Sequence, residues 1–342
     1  MIICVVSFTK NGKEKESELK KLFPEIIWIS NSSHSDLHDF IKSAFSKKLP
    51  VLFISSCGIA VREISPYIKD KFSDSPILVM DEKSKFIIPI LSCHLGGANK
   101  IAKNLSAKLS AFPVITTATD VQKKFSIDVF AKNNGLMILN RDGIKKISSK
   151  ILNNEIISVW INEKINYSKL DVPKCFKIIS PNEDFKFADV KIDFAKEKSN
   201  CILQLRPKLY CVGIGCKKNK PFEELYDFLK KILSENLNLT PAEVSSISSI
   251  DIKKSEMGLL ILSQFLNVPF YTYSSEKLNN VKGNFSESDF VKKTTGVSNI
   301  CEIAAKLSSG EDGKIILKKT SFNGMTIALA KQESIILNWN DK

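Results

Sequence analysis

Over the first 120 residues, short apolar runs alternate with stretches whose apolar residues recur every third or fourth position. Short continuous runs read as strands buried on both faces, and the 3.6-residue period reads as helices packed on one side. The expected strands are 2–8, 26–29, 51–54, 77–80, 86–91 and 114–116, with helices at 35–45, 59–68 and 98–109. This alternation predicts an open α/β sheet domain, mainly parallel and covered by helices. From 132 to 206 the pattern weakens to short apolar segments at 156–161, 176–179 and 202–205 among Asn, Ser and Lys, which reads as a small central α+β insert. Strong patterning returns with a strand at 209–214 and a helix with Pro221 in its first turn. A strand ending at Ile250, a helix at 259–266, a strand at 269–273 and a helix at 300–307 complete a C-terminal α/β domain. The expected domains are 1–131, 132–206 and 207–331, followed by a tail at 332–342. The boundary is set at Arg206-Pro207 because a residue before proline leaves the helical region.

A chain of 342 residues suits two or three domains. No stretch approaches the roughly 18 consecutive apolar residues that cross a bilayer, and the apolar start has no basic region ahead of it, so a cytoplasmic protein without a membrane partner is expected. Eight cysteines are scattered without a CxxC pair or a Cys/His cluster, so they read as reduced, with no protein-held metal or cofactor. The formal charge is +13, from 50 Lys and Arg against 37 acids, but the lysines lie in scattered pairs rather than a basic stripe with interleaved aromatics. That argues against nucleic acid. It leaves two readings, a solvated lysine surface or a field that attracts a small polyanionic substrate.

The candidate chemistry sits in turns. An apolar strand delivers Ser92, Cys93 and His94 to Gly96-Gly97, after which Asn99 opens a helical pattern, so a titratable ring lies beside backbone N–H groups at a helix start. His34 and His38, one turn apart at a solvated helix start, lack that setting. Two further turns, 55–58 and 116–120 with Thr117 and Asp120, also follow strands, and all three are expected to converge on one crevice at the strand carboxyl ends. Asp120 and Asp81 have the chemistry to orient a water or to close a turn; Arg62 can pair with a substrate carboxylate or with Glu63. Cys93 and Cys216 precede helices, where a thiolate would be favoured. Gly213-x-Gly215 lacks the third glycine of a dinucleotide fingerprint. Beyond it, Asp251, Lys253 and Glu256 are close enough to meet across a turn, and Thr295, Gly296 and Asn299 precede the last helix.

Several of these stretches together resemble the cobalt-precorrin-5A hydrolase family of anaerobic cobalamin biosynthesis. They are GIAVR at 58–62, VMDE at 79–82, SCHLGGAN at 92–99, PVITTATD at 113–120, VGIGC at 212–216, SIDIK at 249–253 with Glu256 and Gly258, TTGVSNICE at 294–302 and GMT at 324–326. One departure is Cys93, where the family usually has glycine, which argues against a shared thiol nucleophile. The resemblance implies hydrolytic opening of the δ-lactone of cobalt-precorrin-5A and loss of acetaldehyde to give cobalt-precorrin-5B, with cobalt carried by a polycarboxylate corrinoid substrate. On this reading His94 or Asp120 is the base, Asp251 is a further catalytic candidate, and the N–H groups of Gly96 and Gly97 hold the oxyanion. The expected substrate-binding residues are Arg62, Ser92, Gly96, Gly97, Asn99, Thr117, Cys216, Lys253, Glu256, Thr295, Gly296 and Asn299. The alternative is a non-catalytic tetrapyrrole carrier or chaperone. A homodimer and transient contact with neighbouring pathway enzymes are left open.

Overall fold

Apolar runs too short for helices become strands. Those of the first third build one sheet in a computed structural model that describes residues 1–31, 37–70, 72–180, 188–197, 200–287 and 289–339. The chain forms two units, Met1–Lys124 and Phe125–Lys342. His34 and the expected helix start at 35–36 lie outside the described residues.

Unit 1 runs β1 (Ile2–Ser7), α1 (Lys10–Leu22), β2 (Ile27–Ser30), α2 (Leu37–Ser46), β3 (Val51–Ile54), α3 (Cys57–Ile64), β4 (Ile77–Met80), β5 (Phe86–Leu91), α4 (Ala98–Leu109), β6 (Phe112–Pro113) and α5 (Ala118–Val121). The sheet order is β2-β1-β3-β4-β5-β6. The first four strands are parallel, β5 pairs antiparallel with β4, and β6 runs parallel to β5. Side chains alternate between faces along each strand. Ile3, Val5, Leu52, Ile54, Leu78 and Met80 therefore share one face, where they form a core with Leu19 of α1 and Ile101, Ala102 and Leu105 of α4. Ile2, Val6, Phe53 and Val79 point to the other, and α2 and α3 bury Ile41, Ala44, Ala60 and Ile64. The strand expected at 114–116 is instead the two-residue β6, because the Ile115 N–H turns back to Pro113 O at 3.0 Å.

Unit 2 begins with α6 (Ile127–Asn133), β7 (Leu136–Ile138), α7 (Arg141–Leu152), β8 (Ile157–Ile161), β9 (Ile165–Tyr167), β10 (Phe176–Ile179), β11 (Val190–Ile192) and β12 (Leu203–Pro207). Five of these strands form a mixed sheet in the order β10-β8-β11-β12-β7. The expected boundary at Arg206-Pro207 falls inside β12, where both residues pair with β7 and the Arg206 guanidinium donates to Glu243 at 3.0 Å in a buried pair.

A second five-stranded sheet follows from β13 (Tyr210–Cys216), α8 (Phe222–Leu237), β14 (Val244–Ile250), α9 (Met257–Leu266), β15 (Phe270–Tyr273), α10 (Ser275–Asn279), α11 (Asp289–Thr295), α12 (Cys301–Ser308), β16 (Lys314–Phe322) and β17 (Met325–Lys331), in the order β15-β14-β13-β17-β16. Gly213 lets α12 touch β13, since a Cβ there would lie 1.8 Å from Cys301 O. The expected tail forms β18 (Ile335–Leu337), which pairs parallel with β9 and is followed by the buried Trp339. Among the described residues no helix is long and apolar enough to cross a membrane.

Candidate functional site

The reversal of β5 decides what meets what. Antiparallel pairing sets Leu91 opposite Ile77, so residues 92–97 emerge at the end of the sheet where β4 begins. There Ser92 takes a left-handed conformation (φ 53°) and donates its hydroxyl to Asp74 O at 2.8 Å. Gly96 packs against it, for a Cβ would fall 2.5 Å from Ser92 Cβ and 3.2 Å from Pro76 Cγ. Gly97, at φ 89°, then starts α4. Because β6 is parallel to β5, residues 116–120 arrive at the same end.

His94 and Asp120 meet there, Nε2 to Oδ2 at 2.9 Å. The same Oδ2 accepts from Thr117 Oγ1 at 2.8 Å and Asn99 Nδ2 at 2.9 Å, while Oδ1 accepts from Lys103 Nζ at 2.8 Å. Asn99 Nδ2 also reaches Thr117 Oγ1 at 2.9 Å, and Thr119 Oγ1 lies 3.3 Å from the ring nitrogen. Burial alone would push the Asp120 carboxyl up, but the Lys103 ammonium and the Thr117 and Asn99 donors outweigh it and hold the group at about 2. A carboxylate so crowded with donors is a poor base. It is well suited to fix a proton on Nε2. The neighbouring Cys93 thiol is raised by burial and then by the Asp120 charge, so it stays un-ionised.

The third expected turn does not join this site. Residues 55–58 follow β3 at the opposite end of the sheet, and the exposed Arg62 extends from there. Asp81 lies at that far end too and closes the β4–β5 turn by accepting from the N–H groups of Lys83 (2.9 Å) and Phe86 (2.7 Å). Lys103 and Thr119 complete the His94 site although neither was expected. Lys103 stands one helical turn beyond Asn99, a spacing that shares a face.

In unit 2 the candidates divide. Lys253 Nζ bonds Glu256 Oε2 at 2.9 Å, and both charges act on the Cys216 thiol, which burial raises to about 11. Asp251 starts the turn after β14; counting on three residues from the Gly213–Ser248 pair brings it level with Cys216. Asn299 is 1% exposed, with its Nδ2 donating to Ser286 O and its Oδ1 accepting from the Glu302 N–H, so it braces the start of α12. Thr295 bonds locally to Val297, and Gly296 turns at φ 75°, its carbonyl accepting from Asn279. Among the described residues no three His, Cys, Asp or Glu side chains gather as a metal site.

Residues 39–120 match the family described as Cobalamin synthesis G N-terminal, and 210–330 that described as Cobalamin synthesis G C-terminus. The chain is 31% identical to the cobalt-precorrin-5A hydrolase of Priestia megaterium, over 95% of this chain and 94% of the relative. It is 32% identical to the enzyme of the same name from Salmonella typhimurium, over 84% and 83%. The solved cobalamin biosynthesis protein G homologue from Sulfolobus solfataricus is 26% identical over 96% of this chain and 97% of its own, with a TM-score of 0.41.

Proposed function

The chain belongs to the cobalt-precorrin-5A hydrolase family, and from that membership we propose that it opens the δ-lactone of cobalt-precorrin-5A with His94 as base and then releases acetaldehyde. The observation that supports this assignment of the base is the His94–Asp120 bond, in which a carboxylate held by four donors orients the ring. The His94 ring takes a proton from water as the water attacks the lactone carbonyl. Asp120 steadies the positive ring that results without itself becoming protonated. The oxygen that turns anionic lies, on this reading, at the start of α4, where the helix dipole favours negative charge. The N–H groups of Ala98 and Asn99 are already given to Ser92 O and Cys93 O, at 3.3 and 3.0 Å, so the donors are those of Gly96 and Gly97. Collapse breaks the ring C–O bond and yields a carboxylate and an alcohol. Cobalt arrives with the substrate, and no protein-held cofactor takes part in these steps.

The test is anaerobic incubation of the protein with cobalt-precorrin-5A, with acetaldehyde measured alongside His94→Ala. Release by wild type and a loss of about 10²–10⁴-fold in the variant are expected. Equal release by both removes His94 from the chemistry, and tight binding without release by either turns the protein into a carrier.

A further inference from the structure

Unit 2 contains a buried carboxylate that is only half satisfied. Glu256 is 8% exposed and its Oε2 accepts from Lys253, yet its Oε1 has no hydrogen-bond partner among the described residues. A buried charged acceptor without a donor is costly, and in a native protein it calls for an explanation. Capping does not supply one, because Glu256 immediately precedes α9 and makes no side-chain bond to that helix.

Its surroundings are those of a ligand site. Glu256, Lys253 and Lys220 all act electrostatically on Cys216, the last residue of β13. The start of α9 abuts the segment leading into α8, since a Cβ on Gly258 would lie 2.1 Å from Lys220 O. The carboxyl ends of β13 and β14 thus meet the starts of two helices, the place where open α/β sheets hold ligands.

The chemistry restricts what fits. Lys253 balances the Glu256 charge, so the pair does not repel an anion, and the start of α9 attracts one. Oε1 in turn requires an O–H or N–H donor. A carboxylate and a hydroxyl on one molecule satisfy both, and opening a lactone creates that combination.

We propose that this corner of unit 2 is a hydroxy-acid site for the ring-opened substrate, with the carboxylate at the start of α9 and the freed hydroxyl donating to Glu256 Oε1. The proposal rests on the lactone-opening reading above. Glu256 then takes the hydroxyl proton as the carbon–carbon bond to the macrocycle breaks. The alcohol carbon becomes the carbonyl of acetaldehyde, the bonding electron pair passes into the macrocycle, and the proton leaves Glu256 for solvent. No outside oxidant or reductant is needed.

The experiment is a single turnover of the full chain with cobalt-precorrin-5A, following the mass of the corrinoid and acetaldehyde separately. Glu256→Gln is expected to accumulate a species one water heavier than the substrate, while acetaldehyde release falls about 100-fold. A double variant, Lys253→Met with Glu256→Leu, replaces the pair by apolar groups and should keep the melting temperature while losing release. Release within about threefold of wild type in either folded variant overturns the proposal, as does equal loss of both steps. Wild type that leaves the lactone closed overturns the reading it rests on as well, whereas release by the variants overturns this proposal alone.

Discussion

Four donors surround the Asp120 carboxylate, and that crowding gives it a different task from His94. Asp120→Asn should lower acetaldehyde release by roughly 10²–10⁴-fold, because the amide no longer fixes the proton on Nε2; a rate within tenfold of wild type would contradict this. The same crowding has a stability signature. The carboxyl lies at about 2, below its ordinary 3.8, so the stabilisation is present above pH 3.8 and is lost as pH falls toward 2. Asp120→Asn should remove on the order of 1–2 kcal/mol of that acid-range slope, with some discount because Lys103 is half exposed. Urea titrations from pH 5 to 2 measure it. His94, Asn99, Thr117 and Asp120 were legible as residues because each lies in or just beyond a polar stretch that follows an apolar run. Their partners were less so: Lys103 and Thr119 acquire roles only when two turns far apart in sequence meet.

At the scale of elements, the separation of residues 55–58 and Arg62 from the His94 site has one cause, the direction of β5. The clue was present, since only five residues separate β4 from β5 and a parallel crossover needs a dozen or more. A hairpin was therefore required, and with it the transfer of residues 92–97 to the other end of the sheet. The helix α1 leaves no such signal, because its sequence KNGKEKESELKKL has almost no apolar period. It docks through Leu19 and through Glu16, whose carboxylate accepts from Ser7 (3.0 Å), Lys20 (2.8 Å) and Ser30. Burial opposes ionisation of Glu16, and those three donors lower it all the same. Glu16→Ala removes the acceptor of both hydroxyls and the partner of Lys20 and should cost about 1–3 kcal/mol, read as a lower urea midpoint with an unchanged slope. An unchanged midpoint would mean that Leu19 alone holds the helix.

For the whole molecule, the periodic pattern conveyed the α/β class and the two outer sheets but not where unit 2 begins and ends. The stretch at 332–342 has too little periodicity to be recognised as structure, yet Trp339 is 4% exposed and stacks on Phe130 at 4.9 Å between ring centroids. Phe125 and Phe176 pack on the same indole, at 6.5 and 5.3 Å. Both ends of unit 2 therefore close over one aromatic cluster, and a contact of that kind, over 200 residues apart in sequence, leaves no local mark. It does have a measurable consequence. A chain comprising 125–342 retains Phe125, Ile127 and Phe130, whereas one starting at residue 132 lacks them and opens a cavity beside Trp339. The shorter chain should be less stable by at least about 3–5 kcal/mol, the cost of deleting one buried Phe. Urea unfolding followed by tryptophan fluorescence compares the two directly. Equal midpoints would show that the cluster is incidental and that unit 2 is held by its sheets alone; a fall in midpoint, repeated on removing residues 332–342, would show that its two ends lock it shut.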